Sequence, residues 1–408
     1  LKRFFFLVPY LNQNTTSINR IQSFIFEAAK RENILPYLLY FDFSNLNKMS
    51  IGIDGEIVSV LPENTIILKP NLNILQKVSF WLLKKRYDRV FKFLTVLHQL
   101  IYLSDVFVVH DVRKQLSALK MTKKDTLIAL GGPFGLFNTA YNAYKCFDIK
   151  LVIDYRDPWT YGYPPVDGSF IFHYIKKYIV SKRENRILEA SSLIFTVSDS
   201  LKSFFPDKYK SKINVVPNAS NYKNIAVNYN PKTFDIIYLG TIYDIQILDD
   251  SFFKVLGKWI IDKRNINLIF LGSNNNAKLK KVIASNKLEK YTIITKRVSK
   301  DIIGNYLENA SLFLHLKYGD RKDIITSKQS DYLSFRKPIL LPFTDTGDLE
   351  NSINTNNAGY VCNSDKQILK VLDKLYEKFL NGNVETTVYN DITNSREYWA
   401  KRFIDDIL

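Results

Sequence analysis

An α/β protein built as two successive doubly wound domains is the fold class that this sequence predicts. Three observations carry it. The length of 408 residues suits two domains of ordinary size. Short apolar runs alternate with helical patterns, the mark of parallel sheets covered on both faces. The alternation breaks off at a polar, Asn-rich stretch, Ser220–Thr233, and then restarts.

In the first domain, 1–219, strands are expected at Arg3–Val8, Leu35–Phe41, Thr65–Leu68, Asp105–Val109, Thr126–Leu130, Lys150–Asp154 and Leu193–Val197. Ile18, Ile21, Phe24, Ile25 and Ala28 repeat at helical spacing, so Ser17–Arg31 is expected to be a helix. After the linker 220–233, the second domain, 234–390, begins with the strand Phe234–Leu239. Further strands follow at Asn267–Leu271, Tyr291–Thr295, Ser311–Leu316, Pro338–Leu341 and Gly359–Cys362. Helices are expected at Ser251–Lys263, Lys278–Asn286, Lys300–Asn309, Gln367–Leu380 and Ser395–Leu408.

Composition narrows the class. Apolar residues make up 46%, with 28 Phe and 25 Tyr, enough for a large core. Two cysteines, Cys146 and Cys362, exclude a disulfide framework and suit a reducing compartment. The four histidines, His98, His110, His173 and His315, show no ligand spacing, so no zinc site is expected. The apolar start Phe4–Val8 is too short for a signal peptide and is broken by Pro9, and no run reaches the length of a membrane span. The net charge of +17 implies attraction to anions: nucleic acid, anionic lipid or a phosphorylated small molecule. The first strand–helix turn has no G-x-G-x-x-G, so no dinucleotide cofactor is expected. Lys77–Leu94 is basic, aromatic and amphipathic. It reads either as a surface helix on an anionic membrane or as a core helix with a solvated basic face.

The most informative stretch is Ile325–Leu341. Thr326 and Gln329 have capping-box spacing, so a helix is expected to start at Ser327. Pro338 forces it to end near Arg336 or Lys337, and Ile339-Leu340-Leu341 reads as a buried parallel strand. The amino end of such a helix suits a phosphate. Lys328, a cation in the first turn, is poorly placed unless it meets an anion, and Asp331 one turn in could accept from a ribose diol. The alternative is an amphipathic helix with Tyr332, Leu333 and Phe335 in the core and Asp331 as an N-terminal helix charge.

Ligands in parallel α/β sheets bind at the carboxyl ends of the strands. Three strand exits in the first domain stand out. Thr126–Leu130 runs into Gly131-Gly132-Pro133-Phe134-Gly135, a loop whose backbone can approach a ligand or simply turn. Val108-Val109 ends in His110-Asp111, where the histidine is either structural or touches substrate. Lys150–Asp154 exits through Asp154-Tyr155-Arg156-Asp157-Pro158-Trp159, whose charges either pair with one another or form a site.

Two of these segments resemble one family. Ser327-Lys328, Asp331-Tyr332-Leu333 and Lys337-Pro338-Ile339-Leu340 are similar to the S/T-K-x-x-E-Y-L-x-x-x-K-P-I-L segment of nucleotide-sugar-dependent glycosyltransferases of the retaining, family-4-like group. The D-Y-R-D-P-W segment at 154–159 closely matches a subset of the same enzymes, which also carries Y-x-G-T/S-I/L-Y as in Tyr238–Tyr243. Val197-Ser198-Asp199-Ser200-Leu201 and Val216-Pro217-Asn218-Ala219 are similar to the family's V-S-x-x-L and V-I-P-N-G, with Ala219 in place of Gly. The resemblance implies the GT-B fold: two Rossmann-like domains facing across a cleft, with the closing segment 391–408 crossing back to the first.

It also implies roles. Gly240, Thr241, Ser327 and Lys328 would hold the donor's nucleotide diphosphate, and Asp331 its ribose. Arg156 and Asp157, where many relatives keep a His-Asp pair, and Asp323, eight residues before Asp331, would stand near the transferred sugar. Gly132 and His110 would touch the acceptor. The Arg and Lys that often clamp the diphosphate after Y-x-G are missing, which leaves Lys328, Arg321, Lys322 or Arg156 to balance the charge. No D-x-D triplet is present, which fits a metal-free mechanism without a cofactor.

The function expected is transfer, with retention, from a nucleotide-diphosphate sugar to a glycan or lipid-linked acceptor in bacterial surface polysaccharide synthesis. The enzyme would be cytoplasmic, either free or peripheral on the inner face of the cell membrane. The alternatives are a non-catalytic basic protein binding polyanions or membrane, and a GT-B-fold epimerase. Nothing resembles a nucleic-acid-binding motif.

Overall fold

The computed structural model describes the chain apart from residues 9–15, 42–61, 69–72, 98–112, 132–133, 162–169, 226–230, 388–393 and short gaps at 86, 88, 91–92, 95–96, 158, 221 and 223–224. It divides into two units, Leu1–Pro217 with Glu397–Leu408, and Asn218–Arg396.

The first unit holds a sheet of seven parallel strands: β1 (Lys2–Val8), β2 (Ile34–Phe41), β3 (Thr65–Leu68), β4 (Thr126–Leu130), β5 (Lys150–Tyr155), β6 (Leu193–Thr196) and β7 (Ile213–Val215). Their order is β3-β2-β1-β4-β5-β6-β7, so the direction of winding reverses between β1 and β4. Strand alternation sends Phe4, Phe6 and Val8 to one face and Phe5 and Leu7 to the other. On the first face lie the helix Thr16–Ala29 and the C-terminal helix Arg396–Ile407. Phe24 and Phe403 stack there with ring centres 3.8 Å apart. The residues expected to face inward from the first helix, Ile18, Ile21, Phe24, Ile25 and Ala28, are all buried. The strand expected at Asp105–Val109 lies outside the described residues.

The second unit holds six parallel strands: β8 (Phe234–Leu239), β9 (Ile266–Leu271), β10 (Thr292–Ile294), β11 (Leu312–Leu314), β12 (Ile339–Leu341) and β13 (Gly359–Val361). Their order is β10-β9-β8-β11-β12-β13. The winding reverses between β8 and β11, and a crevice at the carboxyl ends of two such strands is the usual ligand position. The helix Ser327–Ser334 bears on it; beside that helix, bonded to it through Ser352 and packed on β12 and β13, lies Asp348–Thr355, which the sequence reading does not mark. Asp345 fixes the start of the latter by accepting the N–H groups of Gly347, Leu349 and Glu350, each at 3.1 Å.

The basic aromatic stretch differs from expectation in extent. The continuous helix described there is Ile74–Lys84, starting three residues before Lys77. Asn73 and Gln76 explain the start, each side-chain oxygen accepting the other's backbone N–H, at 2.8 and 2.9 Å.

Candidate functional site

At the reversal point of the second sheet, β8 leaves through Tyr238-Leu239-Gly240. Gly240 has φ +90°, a conformation that favours glycine, and a Cβ built there would meet nothing within 4 Å. The backbone here is therefore bare and has open space beside it. It is held from behind: the Gly240 N–H donates to the Leu271 carbonyl at 2.7 Å, and Ser273 Oγ donates to the Gly240 carbonyl at 2.6 Å. The following loop is pinned through Gln246. Its Oε1 accepts the Tyr243 N–H at 3.1 Å, and its Nε2 donates to the Leu316 carbonyl at 2.9 Å.

The helix Ser327–Ser334 starts where expected, after Thr326 in extended conformation. The capping box does not form, which corrects the reading of that spacing. Thr326 Oγ1 is buried without a partner, and Gln329 turns away to donate from Nε2 to Ser352 Oγ at 3.0 Å. The helix ends at Ser334, and Arg336 takes a left-handed φ of 54° before Lys337-Pro338.

Tyr332 explains why this helix sits at the reversal point. β8 and β11 pair over only two positions, Ile236 with Leu312 and Ile237 with Phe313. Beyond them the strands part. The Tyr332 hydroxyl fills the gap, accepting the Leu239 N–H at 2.7 Å and donating toward the Leu314 carbonyl at 3.2 Å. Its ring stacks on Phe313, centres 4.4 Å apart. Burial pushes its hydroxyl well above the ordinary tyrosine range.

Lys328, one turn earlier, reaches Tyr238, two residues before Gly240. Its Nζ donates to the Tyr238 hydroxyl at 2.6 Å and stands 4.0 Å from the centre of that ring. The same hydroxyl is 3.2 Å from the Thr241 carbonyl and 3.0 Å from Gln246 Oε1, so one oxygen links Lys328 to the loop after β8. Lys328 is 8% exposed, and burial pulls its ammonium from 10.5 down to about 7. His315, first residue after β11, is fully buried, with no hydrogen-bond partner on either ring nitrogen. Burial first, then the nearby Lys328, hold it well below its ordinary range, against the opposing effect of the adjacent Leu316 backbone.

Of the other expected donor residues, Ser327 opens the helix and Asp331 lies half-buried on it, Oδ1 accepting from Ser220 Oγ at 3.2 Å. Ser330 Oγ donates to the Asn218 carbonyl at 2.5 Å, so the Asn218–Ser220 segment runs along this helix. Asp323 sits in the loop before the helix, with Oδ2 buried and unpartnered. That loop is fixed by the Asp348 N–H donating to the Lys322 carbonyl at 2.7 Å. Gly347 permits the approach, since a Cβ there would lie 2.0 Å from the Lys322 oxygen.

In the first unit, partners are found for most of the D-Y-R-D-P-W segment. The Asp154 carboxylate is not paired within the segment; Arg20 holds it from the first helix, Nη2 and Nε donating at 2.9 and 3.0 Å. Tyr155 donates to the buried Glu184, as do the Thr160 N–H and hydroxyl. Arg156 donates from Nε and Nη2 to the Gly131 carbonyl. Trp159 stacks on Phe134 at 5.4 Å. Asp157 is exposed. Gly132 and His110 lie outside the described residues.

Gly240, Thr241 and Lys328 are thus brought together through Tyr238. Sequence reasoning missed Tyr238, His315 and Gln246. A tyrosine in an apolar strand reads as core, and the position of His315 at the reversal point depends on the strand order.

No family model matches the chain, and no curated protein sequence matches it. Solved structures do. The lipopolysaccharide outer core galactosyltransferase WaaB, in apo form, is 12% identical with a TM-score of 0.57, over 100% of this chain and 99% of its own. HepE of Anabaena, solved in complex with UDP, is 10% identical with a TM-score of 0.57, over 99% of this chain and 94% of its own. This chain has the GT-B fold. The UDP-GlcNAc 2-epimerase of Methanocaldococcus jannaschii, 12% identical at a TM-score of 0.54, covers 100% of this chain and 99% of its own. The GT-B fold accounts for the two Rossmann-like sheets and their strand order, and at these identities the likeness extends to the fold alone.

Proposed function

We propose that the protein is a glycosyltransferase that uses a nucleotide-diphosphate sugar. The observation that carries this is Lys328: a buried cation in the first turn of a helix, at the reversal point of the sheet, with a tyrosine and no carboxylate for its partner. Such a group is costly unless an anion joins it. The helix's free N–H groups offer further donors to the same anion, and the open space beside Gly240 leaves room for it to approach. Asp331 would take the ribose, and Ser327 a phosphate oxygen. The UDP named in the HepE complex supports a nucleotide ligand.

As the bond to the anomeric carbon breaks, negative charge collects on the leaving diphosphate. Lys328 and the helix end stabilise that charge more than they stabilise the ground state, which is what accelerates the step. This chemistry needs neither metal nor cofactor. Arg156, Asp157 and Asp323 would stand near the transferred sugar, and Gly132 and His110 near the acceptor, with retention of configuration. Product analysis tests the reading. Incubation with nucleotide sugars and a membrane extract would yield a glycosylated acceptor and free nucleotide diphosphate. Recovery of an epimerised nucleotide sugar instead would assign the epimerase reaction.

A lipid-linked acceptor in surface polysaccharide synthesis is the second half of the proposal. The helix Ile74–Lys84 supports it because its burial is inverted. Gln76 and Ser79 are buried, whereas Ile74, Val78 and Trp81, which share one face, are 80%, 42% and 56% exposed. Exposed Lys77 and Lys85 flank that face. An apolar stripe with cations beside it suits the surface of an anionic membrane. Among the described residues no helix is long and apolar enough to cross one. Trp81→Ala should weaken co-sedimentation with vesicles containing anionic phospholipid. Equal binding by the variant, or none by the wild type, would remove this half.

A further inference from the structure

The site proposed for the donor diphosphate contains two buried basic side chains close enough for one to repel the other's charge, and among the described residues neither has a carboxylate partner. Lys328 comes from the helix Ser327–Ser334 and His315 from the end of β11. The groups around them are Tyr238 from β8, Tyr243 and Tyr318 from the loops after β8 and β11, and Tyr332 and Asp331 from the same helix as Lys328. Four of these five are tyrosines; Tyr243 is exposed, and burial pushes the hydroxyls of Tyr238 and Tyr332 well above the ordinary range, which keeps them neutral. The fifth, Asp331, is half-buried and accepts from Ser220 Oγ at 3.2 Å. The Tyr238 hydroxyl is the hydrogen-bond partner found for Lys328, and neither nitrogen of His315 has one.

Two like charges cannot both persist in a buried site that lacks a counter-charge, because burial and mutual repulsion both oppose ionisation. At least one of the pair is therefore neutral in the ligand-free protein near neutral pH. A diphosphate would supply the missing charge, and both side chains could then ionise. We infer that a phosphate-bearing ligand entering beside Gly240 binds together with a proton, which the Lys328–His315 pair takes up. The inference rests on the donor reading of this pocket and adds His315 to it as a positioning residue. Its consequence is directional. Above the pH at which the free pair loses its proton, affinity for the anion falls about tenfold per pH unit.

The test is a proton inventory by titration calorimetry on the full chain. UDP and inorganic pyrophosphate are the probes, each titrated at about pH 8 in two buffers of contrasting ionisation enthalpy. The last phosphate group of UDP ionises near pH 6, so at pH 8 a proton gained with UDP belongs to the protein; inorganic pyrophosphate still carries a proton there and reports anion binding alone. The expected result is uptake of close to one proton per UDP bound, lost in Lys328→Met and reduced in His315→Asn. The wild-type result decides by itself if a variant fails to fold. Binding with equal enthalpies in both buffers overturns the proton coupling and leaves the donor reading standing. Uptake that survives both substitutions also overturns it. Pyrophosphate binding without UDP binding overturns the donor reading and, with it, the coupling to a nucleotide ligand. If neither probe binds, both fall.

Discussion

The Lys328 ammonium rests 2.6 Å from the Tyr238 hydroxyl and 4.0 Å from the centre of the same ring. One strand residue thus provides both the hydrogen bond and the ring face that keep a buried cation in place. The arrangement holds the charge without a carboxylate, and on the proposed function a ligand's anion would satisfy it.

Lys328 also gives the fold a pH dependence of defined sign. Its folded value of about 7 lies below the ordinary 10.5. The unfolded chain therefore binds more protons between these limits, and stability rises with pH across that window. The contribution is fully present above 10.5 and is lost as the pH falls through about 7. Lys328→Met should flatten this slope in urea unfolding. It should also weaken nucleoside-diphosphate binding by about tenfold to a hundredfold, the scale of one lost hydrogen bond to a charged group.

Glu184 runs the other way. It is buried behind β5, and burial pushes its carboxyl from 4.5 up to about 7, against the opposing pull of Thr160 and Tyr155. Here the folded chain binds more protons between the two values, so stability falls as the pH rises through that range. The stabilisation is full below 4.5 and gone above about 7. Glu184→Gln should remove a pH-dependent loss on the order of 3 kcal/mol between those limits. Unfolding midpoints of both proteins across the window will show it.

Arg20 and Asp154 form a fully buried pair, with side chains 2% and 0% exposed. Arg20 Nη1 also donates to the carbonyls of Val216 and Pro217, at 2.7 and 3.1 Å, where the first unit ends. Removing one partner strands the other's charge. Arg20→Met should destabilise the first unit by about 3–5 kcal/mol, measured as a shift in the urea midpoint.

Gly240→Ala separates ligand access from folding. The free protein has room for the methyl, but the φ of +90° strains any L side chain. A stability loss of about 1–2 kcal/mol is expected, with a larger proportional loss of nucleotide affinity because the methyl occupies the ligand's approach. Comparing the change in melting midpoint with the change in Kd distinguishes the two effects.

Much of this was legible in the residues. Ser327 as a helix start, Pro338 as its terminator and the alternation of strands with helices are local features, and the structure has them. What was not legible depends on contacts between distant elements. The partner of Asp154 is 134 residues away on the first helix. Gln329, spaced to cap its own helix, bonds instead to Ser352 on the next. Tyr238 and His315 become neighbours of Lys328 only once β8 and β11 lie side by side, an order that no local pattern states.

The central claim is that the start of the helix Ser327–Ser334 receives the diphosphate of an activated sugar, with Asp331 on the ribose. The most direct test is the melting midpoint of the full chain with uridine, guanosine and cytidine diphosphate sugars, for wild type and Asp331→Ala. A ligand that binds the folded state must raise the midpoint. The account predicts that at least one donor raises it in the wild type, and that Asp331→Ala keeps its ligand-free midpoint but loses most of the response. A midpoint that no donor moves, or an equal response from Asp331→Ala, would contradict it.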